Sequence, residues 1–288
     1  MAIGQTLKAI KRAIWIGWKV DSNWADPFLF AIYYLIRPLS GLLIVGFIGL
    51  VVLNSGAVGN FSKGTFAYFF LGNTFFIFLV SVTTDMSILI PMDRNRYEVL
   101  KNIYITPSSL RPYMLGRGIM SVIDASLSVL LTFTIAYLIF SALVPGGLGI
   151  NLAAANYLLL ALTLLLGALN WLALGFILSA VNLLSAKLQF TLQEYVVGIF
   201  YLFGGVIFAP SILPNWGQTI SNVLPIRYFL AAVRLSFSSC GFDCLPVNTT
   251  LEYLAVSTLG MVVISILLFT LAERRCRRLG LIDQKAEY

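Results

Sequence analysis

The stretch MDRNRYEVLKNIYITPSSLRPYMLGRG, Met92 to Gly118, is the one long polar interruption in the first half of an otherwise lipid-like chain. It carries Asp93, Arg94, Arg96, Glu98, Lys101, Arg111 and Arg117, and an apolar run long enough to cross a bilayer lies on each side of it. A segment this charged belongs in water, and five Lys/Arg against two acids place that water on the cytoplasmic side. Tyr97, Leu100 and Tyr104 recur at helical spacing. Thr106-Pro107 reads as an N-cap followed by proline at the first helical position, where the next membrane helix is expected to start.

Composition sets the class. The chain has 288 residues, 59% hydrophobic and only 11% charged, against about 25% charged in a soluble domain. That balance predicts an all-α integral membrane protein. The net charge of +7 does not point to nucleic acid, because the basic residues sit between apolar spans and form no stripe on a soluble domain. Three cysteines and no histidine argue against a zinc site or an imidazole catalyst. The N-terminal stretch does not read as a cleavable signal peptide, since its apolar residues are interleaved with charges.

In chain order, residues 3 to about 20 predict an amphipathic helix, within an N-terminal interface segment 1–26. Ile3, Leu7, Ile10, Ile14 and Trp18 fall on one face, and Lys8, Arg12 and Lys19 fall opposite. Such a helix lies in the cytoplasmic membrane interface or packs on the protein itself. Six spans are expected, at about Phe30–Leu53, Thr65–Ile90, Pro112–Phe140, Ala155–Leu183, Tyr195–Phe208 and Leu251–Leu271. The fifth is short for a crossing. Counting Lys and Arg places sixteen of nineteen inside when both termini are cytoplasmic, leaving Lys63, Arg227 and Arg234 outside. The 1–288 domain is then divided by a coupling segment at 91–111 and ends in a cytoplasmic tail, 272–288.

Between the fifth and sixth spans, residues 209–240 hold Pro210, Pro214 and Pro225 with apolar neighbours such as Trp216. Proline removes backbone donors, which a membrane tolerates only where protein or a watery cavity covers the backbone. Two re-entrant helices, roughly Ser211–Asn222 and Ile226–Ser238, meet that demand; an external loop with two amphipathic helices is the alternative.

The coupling segment and the proline-rich stretch together resemble the permease subunits of ABC-2 type exporters. The resemblance rests on Leu100, Thr106-Pro107-Ser108, Tyr113 and Gly116-Arg117 in order, and on Phe208-Ala-Pro-Ser-Ile-Leu-Pro-Asn-Trp216 followed by Leu224-Pro225 and Arg234. Where the family often has acidic-Arg-x-x-Gly-Thr, Asp93-Arg94 is followed by Asn95-Arg96-Tyr97-Glu98. The resemblance implies an interface helix, six membrane helices, a coupling helix between the second and third, and two re-entrant helices before the sixth. It implies a homodimer in the cytoplasmic membrane of a prokaryote, moved by two copies of a separate ABC ATPase subunit that holds ATP and Mg. This chain has no GxxxxGK[ST] phosphate loop and no cofactor site is expected in it. A coupling helix at about Arg94–Tyr104 would enter a cleft on the ATPase, making Asp93, Arg94, Arg96, Tyr97, Glu98, Lys101 and Tyr104 the coupling residues. Pro210, Pro214, Trp216 and Pro225 would form the re-entrant gate. Membrane lipids are the other partner, and the cargo would be an amphipathic drug, lipid or glycan.

Asp85 and Asp124 are intramembrane acids, and such residues mark functional sites or structural pairs; Arg117 lies seven residues before Asp124, and Arg37 is another candidate counter-ion. With Asn73, Phe76, Tyr201 and Phe208 they are the candidate pathway residues, against the reading that they pack between helices. An ion-coupled secondary transporter using Asp85 and Asp124 is the alternative function, although the two halves show no evident repeat. A membrane enzyme lacks a nucleophile–base constellation. Cys240 and Cys244, on the outer side, form a disulfide or remain two thiols, and Asn248-Thr-Thr matches a glycosylation acceptor.

Overall fold

A computed structural model of the chain describes residues 3–22, 26–55, 62–105, 110–144, 147–185, 191–238 and 245–280. All of the secondary structure among these residues is helical: α1 (Ile3–Ser22), α2 (Pro27–Ser55), α3 (Lys63–Asn95), α4 (Leu100–Ile105), α5 (Leu110–Leu143), α6 (Tyr157–Leu184), α7 (Leu192–Phe203), a 3-10 turn at Pro210–Ile212, α8 (Asn215–Val223), α9 (Pro225–Ser236) and α10 (Val247–Leu279). Five of these, α2, α3, α5, α6 and α10, are long and apolar enough to cross a membrane. The expected fifth span corresponds to α7, whose 12 residues cover about 18 Å, well short of a hydrocarbon core of about 30 Å.

α3 is the hub. Its 33 residues extend about 50 Å, so its ends must stand beyond the apolar layer. It packs against α2, α5, α6, α7 and α9, and its aromatic residues fill the seams. Phe66 and Phe70 meet Phe140 of α5 edge-on at 5.7 and 6.0 Å, while Phe78 stacks on Phe229 of α9 at 6.3 Å. Trp171 of α6 stands on the same Phe229 ring at 5.6 Å. The aromatic richness of this span is therefore spent on packing between helices.

Pro91 lies inside α3 and donates no hydrogen bond, which leaves the Ser87 carbonyl unclaimed by its own helix. α6 supplies the missing donor. Asn182 Nδ2 reaches the Ser87 carbonyl at 2.8 Å and the Ser87 hydroxyl at 3.1 Å, and Ser179 Oγ donates to the Met86 carbonyl at 2.5 Å. At the next interface Asn170 of α6 donates to Thr258 Oγ1 of α10 at 3.2 Å. Polar side chains join helices here where apolar contact alone would not be directional.

α7 ends because Gly204 and Gly205 follow it, the second with φ +72°, a left-handed conformation that glycine adopts without penalty. The chain then runs without regular structure to Ala209 between α3 and α9, and its carbonyls need donors. Arg234 of α9 supplies them. Its Nη2 donates to the Gly205 carbonyl at 2.8 Å and to that of Val206 at 3.4 Å, and its Nε donates to the Tyr68 carbonyl of α3 at 3.2 Å. The guanidinium lies 3.4 Å from the centre of the Tyr68 ring, whose hydroxyl donates to Gly205 at 3.3 Å. Gly72 permits this approach, since a Cβ there would collide with the Val206 carbonyl and the Arg234 guanidinium.

Several expected boundaries move. The first of the two short helices is split into the 3-10 turn and α8, and the second is α9, which is mostly buried. The segment expected as a tail is helical as far as Leu279, so residues 272–279 belong to α10. The helix start expected at Thr106-Pro107 and the pair Cys240 and Cys244 fall outside the described residues. Removing the Arg234 donors while keeping the stem, as in Arg234→Met, strips the Val206 carbonyl of this donor and leaves Gly205 to the Tyr68 hydroxyl, and is expected to destabilise the protein by about 3 kcal/mol. Arg234→Lys should recover little of this, because an ammonium cannot reproduce the planar fork. Thermal unfolding of both variants in detergent checks the pair.

Candidate functional site

The interruption that begins at Met92 starts inside a helix. α3 continues to Asn95, and the first two charges of the segment turn inward. Asp93 is 5% exposed and accepts a hydrogen bond from the Tyr113 hydroxyl of α5 at 2.9 Å. Arg117, one turn after Tyr113, lies close enough to act on the Asp93 charge. Arg94 is 4% exposed and donates to the carbonyls of Leu183 at 2.8 Å and Asn182 at 3.5 Å. Those carbonyls belong to the last turn of α6, and a cation placed there complements the helix dipole.

The expected coupling helix at Arg94–Tyr104 is therefore divided. Arg96 to Val99 form a turn, and α4 begins only at Leu100. The physical reason is visible on both sides. Asp93 and Arg94 are held by α5 and α6, and Glu98 takes φ +51°, which no helix contains. The turn closes on α3, with the amides of Arg96 and Tyr97 both donating to the Met92 carbonyl and that of Val99 to Asp93. Arg96, Tyr97, Glu98 and Val99 are all exposed, Tyr97 by 42% with the Arg96 guanidinium over its ring at 5.8 Å. Leu100 is buried and anchors α4 beneath them. Lys101 and Tyr104 lie on α4, but their side chains are outside the described residues.

A second tie closes the same end. Glu273 of α10 is buried and accepts from Arg111 of α5 at 3.2 Å and from Arg277 at 2.8 Å. Cys276, one turn beyond Glu273 on the same helix, is fully buried with its thiol 3.8 Å from the Leu183 carbonyl that Arg94 also contacts. α1 packs along the start of α5, where Gly116 lets the backbones close; a Cβ at 116 would strike Ala13 and the Ile10 carbonyl. One exposed turn thus sits on buried groups from α3, α5, α6 and α10.

The candidate pathway residues separate into two groups. Asn73, Phe76 and Tyr201 come together, the Tyr201 hydroxyl donating to Asn73 Oδ1 at 3.1 Å and its ring lying 5.1 Å from Phe76. Phe208 is half-buried in the irregular stretch after α7. Asp124 is buried in α5 and Asp85 half-buried in α3, while Arg37 is exposed on α2. Of the proline set, Pro210 is buried beside Gly205, Pro225 opens α9 and is buried, Pro214 precedes α8, and Trp216 is exposed with one edge on Phe203 at 5.9 Å.

A model of the ABC-2 type transporter family matches residues 9–237, which includes α3, the exposed turn, Arg234 and all that lies between. The chain belongs to that family. It is a multi-pass membrane permease. Among curated proteins no relative matches it.

Sequence reasoning on this permease missed Glu273, Tyr113 as a partner of Asp93, and Asn182 beside Pro91. The i, i+4 spacing of Glu273 and Arg277 was a readable signal; the other two pairings cross 20 and 95 positions and leave no local pattern. The inward and outward roles of the segment can be separated by substitution. Arg94→Met should lower the melting temperature by the equivalent of about 2 kcal/mol or more, while Arg96→Met should stay within about 0.5 kcal/mol of the parent. Glu98→Gly, which relieves the left-handed backbone, should match or exceed the parent in stability, and Glu98→Val should cost about 1–2 kcal/mol. Thermal unfolding of the four purified variants tests both statements.

Proposed function

We propose that this chain is the membrane half of an ATP-driven exporter, working as a homodimer with two copies of a separate ABC ATPase subunit. ATP and Mg would be held by that partner. The observation that carries the reading is the exposed turn Arg96–Val99, seated on buried ties to four helices in a chain of this family. A soluble partner that grips Arg96, Tyr97, Glu98 and the neighbouring surface of α4 moves the ends of α3 and α5 with it. Asp93 and Arg94, placed by the sequence among the contact residues, serve instead as the seat of the turn. Energetically, the partner shifts a two-state membrane dimer by binding one arrangement of these ends better than the other.

The distribution of Lys and Arg supports both termini in the cytoplasm, with α7 and the segment after it completing a sixth crossing. α8 and α9 then fold back from the outer side, and Arg234 keeps their approach to α3 free of unpaired backbone. Asn73, Phe76 and Tyr201 lie together beside this break and are the residues assigned to the pathway. An amphipathic drug, lipid or glycan suits an apolar, aromatic wall with few polar groups.

Pull-down of the chain from its native membrane, followed by an ATPase assay, tests the reading. An ATP-binding subunit should accompany the parent, and the Arg96→Ala, Tyr97→Ala double variant should lose about tenfold or more of that association while folding normally. A chain that emerges alone, with the double variant transporting as well as the parent, would remove the ATPase from the mechanism.

A further inference from the structure

α1 does not carry out the simple division into an apolar and a basic face. Its small residues Ala13 and Gly17 meet α5, Gly17 against Met120. On the outward side Trp15 stands among the cations, with Lys19 Nζ 5.3 Å from the centre of its ring. An open groove of about 670 Å³ runs along α1 and meets α5 at Met120. It is lined by the apolar side chains Ile14 and Met120, the indoles of Trp15 and Trp18, and the cations Lys8, Lys11 and Arg12. Among the described residues no carboxylate lines it. Beyond Met120 the same face of α5 continues with Ile123 and Leu127, about half exposed at 50% and 47%.

We propose that this groove binds one anionic phospholipid. Three cations within two helical turns match a phosphodiester whose charge no headgroup ammonium compensates. The indoles of Trp15 and Trp18 match the glycerol level, where an amphipathic ring is at home. Ile14, Met120, Ile123 and Leu127 form the apolar track for an acyl chain. A small soluble phosphate would leave that track uncovered, and a purely apolar lipid would leave the cations unmatched. A lipid seated here bridges α1 to α5 at Met120, near Arg117. The inference uses the placement of α1 at the membrane surface but not the ATPase partnership, so the two fail separately.

The test uses the full chain in phosphatidylcholine nanodiscs containing a minor fraction of either brominated phosphatidylglycerol or brominated phosphatidylcholine, read by tryptophan quenching. Brominated phosphatidylglycerol should quench more strongly, and the excess should disappear in Trp15→Phe, Trp18→Phe. Each cation near an anionic headgroup is worth about fivefold in partition, so Lys8→Gln, Lys11→Gln, Arg12→Gln should cost on the order of tenfold or more of the preference. Arg274→Gln, Arg275→Gln, Arg278→Gln, an equal charge loss on the exposed end of α10, should retain it. Equal quenching by both lipids in the parent overturns the proposal. So does equal loss in the α10 variant, which would mean diffuse attraction to the surface. A third overturning result is an α1 variant that keeps its lipid preference but no longer holds an ATP-binding subunit, which would give the face to that protein.

Discussion

Three carbonyls, those of Tyr68, Gly205 and Val206, converge on one guanidinium. The constraint behind this arrangement is that a helix broken inside a bundle exposes polar backbone where no water is at hand. Glycine ends α7, and the irregular chain that follows has to be satisfied by a side chain from elsewhere. Arg234 is suited to it because its fork of donors reaches several acceptors at once while its flat face rests on Tyr68. Without this contact the seam of α9 with α3, which Phe229 and Phe78 also fill, would lose its polar tie, and the route from α7 to α10 would lose a fixed point.

The opposite end of the bundle solves a related problem in the same way. Helix termini and the proline in α3 leave carbonyls without intrahelical donors, and α6 sits between both difficulties. It receives Arg94 at its own end and sends Asn182 to the carbonyl freed by Pro91. The exposed turn therefore stands on a base tied across helices by hydrogen bonds, and its unusual backbone at Glu98 is held by that base. The Glu273 ties to Arg111 and Arg277 bring α10 into the same frame.

Much of the architecture was legible because it depends on one-dimensional quantities. Apolar run length located α2, α3, α5, α6 and α10, whereas the fifth expected span, Tyr195–Phe208, ran past Gly204-Gly205, where α7 stops. The short amphipathic pieces before α10 were readable from three prolines among large apolar residues. What a charge does was much less legible. Asp93 and Arg94 have the same character on paper as Arg96 and Glu98, yet two point into the protein and two away from it. The difference arises from Tyr113 and the end of α6, which the chain brings to them only after it has folded. Arg234 illustrates the same limit, since its value lies in carbonyls whose need is created by a break 29 residues earlier. On α1 the periodicity identified an amphipathic helix, but periodicity counts apolar residues and cannot say that Ala13 and Gly17 would take the protein side.

Pro91 has a mechanical corollary. A continuous helix carries load along its axis through its hydrogen-bond ladder, and proline removes one rung. The last turn of α3 is stitched sideways to α6 by Asn182 and Arg94 just where its axial connection is weakest. A displacement at Tyr97 therefore meets the lateral ties to α6 as well as the axis of α3. The joint is a knuckle braced against its neighbour.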